Sequence, residues 1–470
     1  MVISAAIPAE GFLLEKVMRS AHGFLDAVSR KWYFMFMTIS NTTPVYAVPD
    51  SHLIPVSGHL RDLMDIPPSR MFLINKSLKV YLEKEPGAKV FDASQGDGGA
   101  SLPGVPRAIL ERAAQLQIEH GTAYDMPFGT DAYRKAVVEQ YWKLDPALGW
   151  GPANVLGTCG GRDALVKAYG AMLALGHGRQ GDAIIVSRVP WISYNWGPYG
   201  VGANVLWAPG DPAEGWAYSV EAIQECVRFT AQSGRKVAGL VITNPDNPTG
   251  LTTSTEKMVE LAKAALAAGV AFVFFDWMYH YVTDGQPNDL NTFLKFFTPA
   301  ERKRLMFLDG ITKSLGGSNI RNCHLIADES VIKFIAARAS HTVYPTFYSL
   351  AVAMAAYGMG YFEATRSIIE PTNASRAVLK GLLGESGMQH ILGQGYYAFV
   401  NVGKYLRAKG WADSEPLGQY LAENYGVAVV PGAYFSPFGN DWIRFSYATP
   451  VERTQGAWER LVVGLESLKR

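Results

Sequence analysis

From about residue 106 onward, short and almost wholly apolar runs alternate with longer stretches whose apolar positions recur at helical spacing. The runs AIIVSRV (183–189), ANVLWA (203–208), VAGLVIT (237–243), VAFVFFD (270–276) and RLMFLDG (304–310) predict strands. Around them, PRAILERAAQLQIEH (106–120), AYRKAVVEQYWKL (132–144), GRDALVKAYGAMLAL (161–175), SVEAIQECVRFTAQ (219–232) and TEKMVELAKAALAAG (255–269) predict helices. Pro106 falls in the first turn of the first of these, where a missing N–H costs nothing. Strands that are apolar throughout, interleaved with helices, predict a mostly parallel sheet covered on both faces. In such a sheet ligands gather at the carboxyl ends of the strands, so the loops after them matter most.

The pattern changes near residue 349. A long helix over 350–383 is followed by strand-like GYYAFVNV (395–402), a helix PLGQYLAENYG (416–426), then VAVVPG (427–432), WIRFSYA (442–448) and a last helix. That mixture predicts a smaller α+β domain. Residues 1–60 show no period, and their most apolar run, WYFMFM (32–37), is far short of the roughly 20 residues a membrane helix needs. The charge-free stretch 342–362 begins with polar and proline-containing turns and reads as a buried helix.

Composition narrows the functional classes. In 470 residues, 43 Lys and Arg against 42 Asp and Glu leave a net charge of +1, which argues against nucleic acid or an anionic membrane surface as partner. Cys159, Cys226 and Cys323 are too few and too dispersed for a disulfide framework or a metal site. With no signal-like N-terminus, a cytoplasmic protein is expected. A Gly-x-Gly-x-x-Gly match at 176–181 follows a helix and precedes a strand, the reverse of the dinucleotide-binding order, and reads as a surface turn.

The loops after the strands carry the candidate chemistry. VAGLVIT leads into Asn244-Pro-Asp-Asn247-Pro-Thr-Gly250, a rigid bend able to present the Asn247 amide. VAFVFF ends in Asp276, a carboxylate costly at the end of a buried strand unless it meets a cation, and Tyr279 follows. RLMFLDG leads into Thr312-Lys313-Ser314, with Arg321 eight residues past the lysine. Gly160-Gly161-Arg162 opens a helix, a place where backbone N–H groups can hold an anion. Singly, each has an ordinary structural reading as a turn, a surface charge or core packing.

Together, NPDNPTG, FDWMY, TKSLGGSNIR and WIRFSYA, in that order, resemble the class I/II (fold-type I) pyridoxal-phosphate aminotransferases over roughly residues 90–450. The resemblance implies pyridoxal 5′-phosphate as cofactor, held in a Schiff base by Lys313, which then serves as the general base. It implies that Asp276 keeps the pyridine nitrogen protonated and that Tyr279 and Asn247 hydrogen-bond the phenolic oxygen. Arg321, Gly160, Gly161, Arg162 and Thr312 would hold the phosphate, and Trp191 would stack on the ring. Tyr124 would reach the phosphate across a homodimer interface with shared sites. Arg444, with Asn247, would pair with the α-carboxylate of the substrate, and the loop at Gly96 would close over it.

On this basis the chain divides into an N-terminal arm and the start of the small domain (1–90), an active-site loop and linking helix (91–123), a large cofactor domain (124–348) and a small C-terminal domain (349–470). The expected reaction moves an amino group from an amino acid to a 2-oxo acid. Carbon–sulfur elimination, amino-acid oxidation and a non-catalytic regulator are the alternatives, because the shared residues do not dictate where electrons go after α-proton loss. Clustering of Trp191, Tyr194 and Trp196 leans toward an apolar or aromatic substrate side chain. Two departures stand out. Gly310 occupies the place, three residues before the lysine, where the family commonly has a phosphate-binding hydroxyl, and the lead-in before FDASQGDGG is long.

Overall fold

The computed structural model describes residues 69–469. The lead-in over 1–60 and its WYFMFM run lie outside the described residues. Within the segment read as an arm, Met71–Lys84 is a helix; Ile74 and Leu78, one turn apart, are buried where it packs on the helix Glu415–Tyr425.

Thirteen strands follow in chain order: β1 Phe91–Asp92, β2 Val155–Thr158, β3 Ala183–Val186, β4 Asn204–Trp207, β5 Val237–Thr243, β6 Phe272–Asp276, β7 Leu305–Asp309, β8 Cys323–Ala327, β9 His390–Leu392, β10 Tyr397–Asn401, β11 Val427–Ala428, β12 Val430–Pro431 and β13 Trp442–Ser446. Seven form the central sheet in the order β2-β8-β7-β6-β5-β3-β4. All neighbours are parallel except at β8, which runs antiparallel to both β2 and β7.

The apolar character of these strands has a direct cause. Val273 and Phe275 of β6 and Leu305 and Phe307 of β7 enter one core, whereas Phe272, Phe274, Met306 and Leu308 enter the other. Alternate side chains thus feed cores on opposite faces, and a polar residue on either side would be buried. The helices that cover the sheet are capped as their sequences suggest: Ser219 and Ser254 each accept a backbone N–H at the start of Val220–Gln232 and Thr255–Ala267.

A second sheet, β12-β13-β10-β9, is antiparallel, and β1 pairs with β11 in parallel. Three expectations need correction. β2, β8 and the helix Glu329–Ala339 after β8 were not foreseen; VLGT is only four residues long, and the short CHLIA run lacks the β-branched richness of its neighbours. The helix expected over 350–383 is two helices, Phe347–Gly358 and Tyr361–Ser386, broken at Gly360, whose φ of +94° suits only glycine. The helix expected over 132–144 is α-helical only for Asp131–Ala136 and then widens into a π turn, Val137–Tyr141, that leaves Tyr141 and Trp142 buried. The Gly176–Gly181 motif is a turn between helix and β3.

Candidate active site

Because β2, β3, β5, β6 and β7 share a direction, the loops that follow them all emerge at one edge of the central sheet. Asp276 is the last residue of β6 and only 5% exposed. Its Oδ2 accepts from the Tyr194 hydroxyl at 2.6 Å and its Oδ1 from the Met278 N–H at 3.1 Å. Burial pushes this carboxyl up to about 6, with the two hydrogen bonds opposing the shift. Among the described residues it has no ion-pair partner. A buried acid with only neutral donors is what a cationic ligand atom would complete.

Lys313 follows β7. Its Nζ donates to the Gly96 carbonyl and lies 5.8 Å from the centre of the Tyr279 ring. The Tyr279 hydroxyl is 3.0 Å from that of Tyr397, and burial holds the Tyr279 phenol well above its ordinary range. Tyr396, in the turn just before β10, donates to the Lys313 carbonyl at 2.5 Å. Gly96 has no room for a side chain, since a Cβ there would press on the Tyr397 hydroxyl.

Arg444, on β13, is 4% exposed. Nη1 donates to Asn247 Oδ1 at 2.8 Å, Nη2 donates to the Ser94 carbonyl at 2.9 Å, and Nε, also buried, has no partner. The guanidinium lies 4.1 Å from the Tyr397 ring centre and 5.3 Å from that of Phe435. Asn247 is held in its turn by Asp246, which accepts from the Thr249 hydroxyl at 2.6 Å and is pushed up to about 6 by burial.

Arg321 is exposed. Its guanidinium donates to the Ser318 carbonyl at 2.6 Å and the Cys159 carbonyl at 3.2 Å, beside Gly160, where a Cβ would collide with it. Gly160 has a φ of +81° and caps the helix Gly161–Gly176; its own N–H donates to the Thr158 carbonyl at 2.8 Å, which leaves the N–H groups of the first helical turn, beginning at Gly161, as the donors an anion could use. Arg162 instead stands 5.6 Å above the Trp191 ring, which meets Tyr194 edge-on at 5.5 Å. The Thr312 hydroxyl points to Cys323 Sγ at 3.1 Å. Tyr124 is 96% exposed, and among the described residues no hydrogen bond or ring contact joins it to this cluster.

The structure therefore brings Lys313, Asp276, Tyr279, Asn247, Arg444 and Gly96 together and sets Gly160, Gly161 and Arg321 side by side. It also assigns two of the aromatics that leaned toward an aromatic substrate: Tyr194 serves Asp276, and Trp196 packs on Tyr199 at 6.0 Å. The part played by Tyr194, read only as one of an aromatic cluster, escaped the sequence reading, as did Tyr396, Tyr397 and Ser94. Only Tyr194 carried a signal, its place three residues after Trp191. The missing hydroxyl at Gly310 has a simple cause, because a Cβ there would lie 2.6 Å from Cys323 Cα and 3.0 Å from the Asn322 carbonyl. The groups present, a buried acid without an ion-pair partner, a lysine in the same cluster and an arginine at a helix start, fit the ring nitrogen, aldehyde and phosphate of pyridoxal 5′-phosphate.

Comparison with known proteins points the same way. The model of the family "Aminotransferase class I and II" matches residues 90–461. Aspartate aminotransferase of Geobacillus stearothermophilus is 25% identical, over 77% of this chain and 89% of that protein. Aromatic-amino-acid aminotransferase 2 of Thermococcus litoralis is 22% identical, over 81% of this chain and 95% of its own. Among solved structures, aspartate aminotransferase of Thermus thermophilus with maleate superposes with a TM-score of 0.72 at 23% identity, covering 87% of this chain and 99% of that one. The Thermotoga maritima aspartate aminotransferase does so with a TM-score of 0.72 at 22% identity, covering 86% and 99%. The fold is that of these fold-type I enzymes.

Proposed function

The chain belongs to the class I and II aminotransferases, pyridoxal-phosphate-dependent transaminases, and from that membership we propose how its own residues run the reaction. When bound, pyridoxal 5′-phosphate supplies the electron sink that lets an amino acid lose its α-proton. Lys313 Nζ would hold the aldehyde end of the cofactor and, once free, would take and return the proton at the substrate Cα. Asp276 keeps the ring nitrogen protonated, and Tyr194 keeps Asp276 oriented. Tyr279 and the Nδ2 end of Asn247 donate to the phenolic oxygen. Arg321, the Gly161 N–H, the Thr312 hydroxyl and Arg162 serve the phosphate end beside Gly160, whose own N–H is held by the Thr158 carbonyl, with Trp191 across the ring face.

Arg444 reads the α-carboxylate of the substrate as a planar two-point pair. Its Nη atoms already hold two oxygens, those of Asn247 and Ser94, and its Nε has no partner, which supports that reading. Closure of the loop at Gly96 excludes water from the reacting atoms. We also take the enzyme to be a homodimer. The fully exposed Tyr124 supports this, as the residue offered to the phosphate of the neighbouring subunit. Three free cysteines support a cytoplasmic setting. The division into a large cofactor domain over 124–348 and a small domain over 349–470 belongs to the same reading; it gives Lys313 and Arg444 to separate sheets.

The observation that carries the proposal is the meeting of Lys313, Asp276, Tyr279 and Arg444 from elements far apart in the chain. Borohydride reduction of the loaded enzyme, followed by peptide mapping, is expected to tag Lys313. Lys313→Ala is expected to lose both the tag and turnover, and tagging elsewhere would overturn the assignment. An amino acid alone should shift the cofactor absorbance, and a 2-oxo acid should reverse it. Ammonia or peroxide release without an acceptor would favour elimination or oxidation instead.

A further inference from the structure

A second buried carboxylate lies behind the site. Asp309 ends β7, four residues before Lys313, and is 1% exposed. Its Oδ1 accepts from the Gly310 N–H at 2.6 Å, which pins the start of the lysine turn. Its Oδ2 accepts from the Tyr141 hydroxyl and lies 2.6 Å from His280 Nδ1. His280 Nδ1 is also 2.8 Å from the Trp277 carbonyl. Both neighbours of that nitrogen are acceptors, so it carries a hydrogen.

His280 is itself clamped. Its ring stacks on Trp142 at 5.1 Å with planes 10° apart, and Trp142 Nε1 donates to His324 Nε2 at 2.8 Å. Burial pushes His324 down to about 4, so it stays neutral and accepts that bond. On the other flank, the Tyr361 hydroxyl is 2.6 Å from Ser314 Oγ, next to Lys313, and donates to the Gly310 carbonyl at 3.4 Å.

His280 directly follows Tyr279, and Asp309 opens the turn that bears Lys313. We propose that the Asp309–His280 pair is a positioning device that ties these two turns together and sets Lys313 against Tyr279. It rests on the reading that both residues face the cofactor. A charge-assisted bond between buried groups is a poor source of net stability, because desolvation offsets its attraction. It is a good source of geometry, and misplacing a reacting group by about 1 Å can cost on the order of a hundredfold in rate. No member of the network touches the reacting atoms, so its effect passes through the turns.

The test compares Asp309→Asn, His280→Phe and the double variant in cofactor-loaded enzyme. His280→Phe keeps the stack on Trp142 and removes the bond. Each single variant is expected to lower kcat about ten- to a hundredfold with KM nearly unchanged, and the double variant to be no worse than the poorer single. The absorbance of the loaded enzyme, titrated with pH, is expected to move its midpoint in the same variants. Loaded, folded variants with wild-type kcat and midpoint would overturn the proposal, as would losses that simply multiply in the double variant. If the single variants fail to fold, Tyr141→Phe removes one hydroxyl from Asp309 and should show the same pattern, more weakly; no change in its kcat or midpoint would also overturn the proposal. Borohydride tagging of wild-type Lys313, run alongside, separates failure of this inference from failure of the cofactor assignment.

Discussion

Asp276 ends β6 and Asp309 ends β7, neighbouring parallel strands of one sheet, and both carboxylates are almost fully buried. Their surroundings differ. Asp309 meets a histidine, a tyrosine and a backbone N–H. Asp276 meets a tyrosine and a backbone N–H, with no ion-pair partner among the described residues. A buried acid that is completed by the protein is architecture, whereas one left short of a positive charge is a place for a ligand. Strand order alone does not separate the two; the side chains packed around each do.

The strongest test of the open half is Asp276→Asn, which removes the charge and keeps the shape. In fully loaded enzyme kcat is expected to fall about a thousandfold, since the ring proton loses its counterion. A smaller effect from this variant than from Asp309→Asn would reverse the roles given to the two acids.

Next comes the pH dependence of the cofactor-free protein. The Asp276 carboxyl moves from 3.8 to about 6 on folding, so the folded chain holds the extra proton between those values. Wild-type stability therefore loses this contribution as pH rises through that window, and Asp276→Asn does not. The variant's advantage should grow from about pH 4 to about pH 6 and then level off, reaching up to about 3 kcal/mol. Chemical denaturation of both forms at several pH values measures it, and a constant difference would mean that Asp276 does not titrate in this range.

Gly310→Ser probes the closed half, because Gly310 donates to Asp309 and packs on Cys323 Cα. Restoring the hydroxyl common in the family is expected to destabilise the chain by about 1–3 kcal/mol through overpacking. Thermal melts would show it, and an unchanged or raised Tm would mean that the loop has room. The smallest effect is expected from Tyr194→Phe. Loss of its hydrogen bond, about 1 kcal/mol, raises the Asp276 carboxyl further. Cofactor binding should then begin to weaken at a higher pH on acidification than in wild type, as read by fluorescence titration.

Much of the site was legible in the sequence because its residue types are chemically unusual where they stand. An aspartate ending an apolar strand, a lysine in the loop after the next strand and an asparagine between two prolines each contradict simple burial or simple exposure. Tyr194 was visible only as an aromatic. Tyr397 could not be singled out, because Tyr396 and Tyr397 are both buried and only packing shows which hydroxyl meets Tyr279. Asp309 lay within the predicted strand RLMFLDG without being singled out, and nothing in the pattern marked His280.

By itself the sequence determined the strands β3 to β7 with the long helices around them, the two-faced burial of the sheet and the main loops that gather at its edge. These follow from local periodicity and from where polar residues interrupt apolar runs. Only the tertiary structure decided that β8 enters antiparallel, that Tyr194 reaches Asp276 across 82 residues, that Arg444 meets Asn247 across 197, and that one aspartate is completed while its neighbour is not. Those facts depend on register and on which face each side chain takes. A shift of a single residue in a strand would exchange the faces without altering the local pattern from which the strand is read.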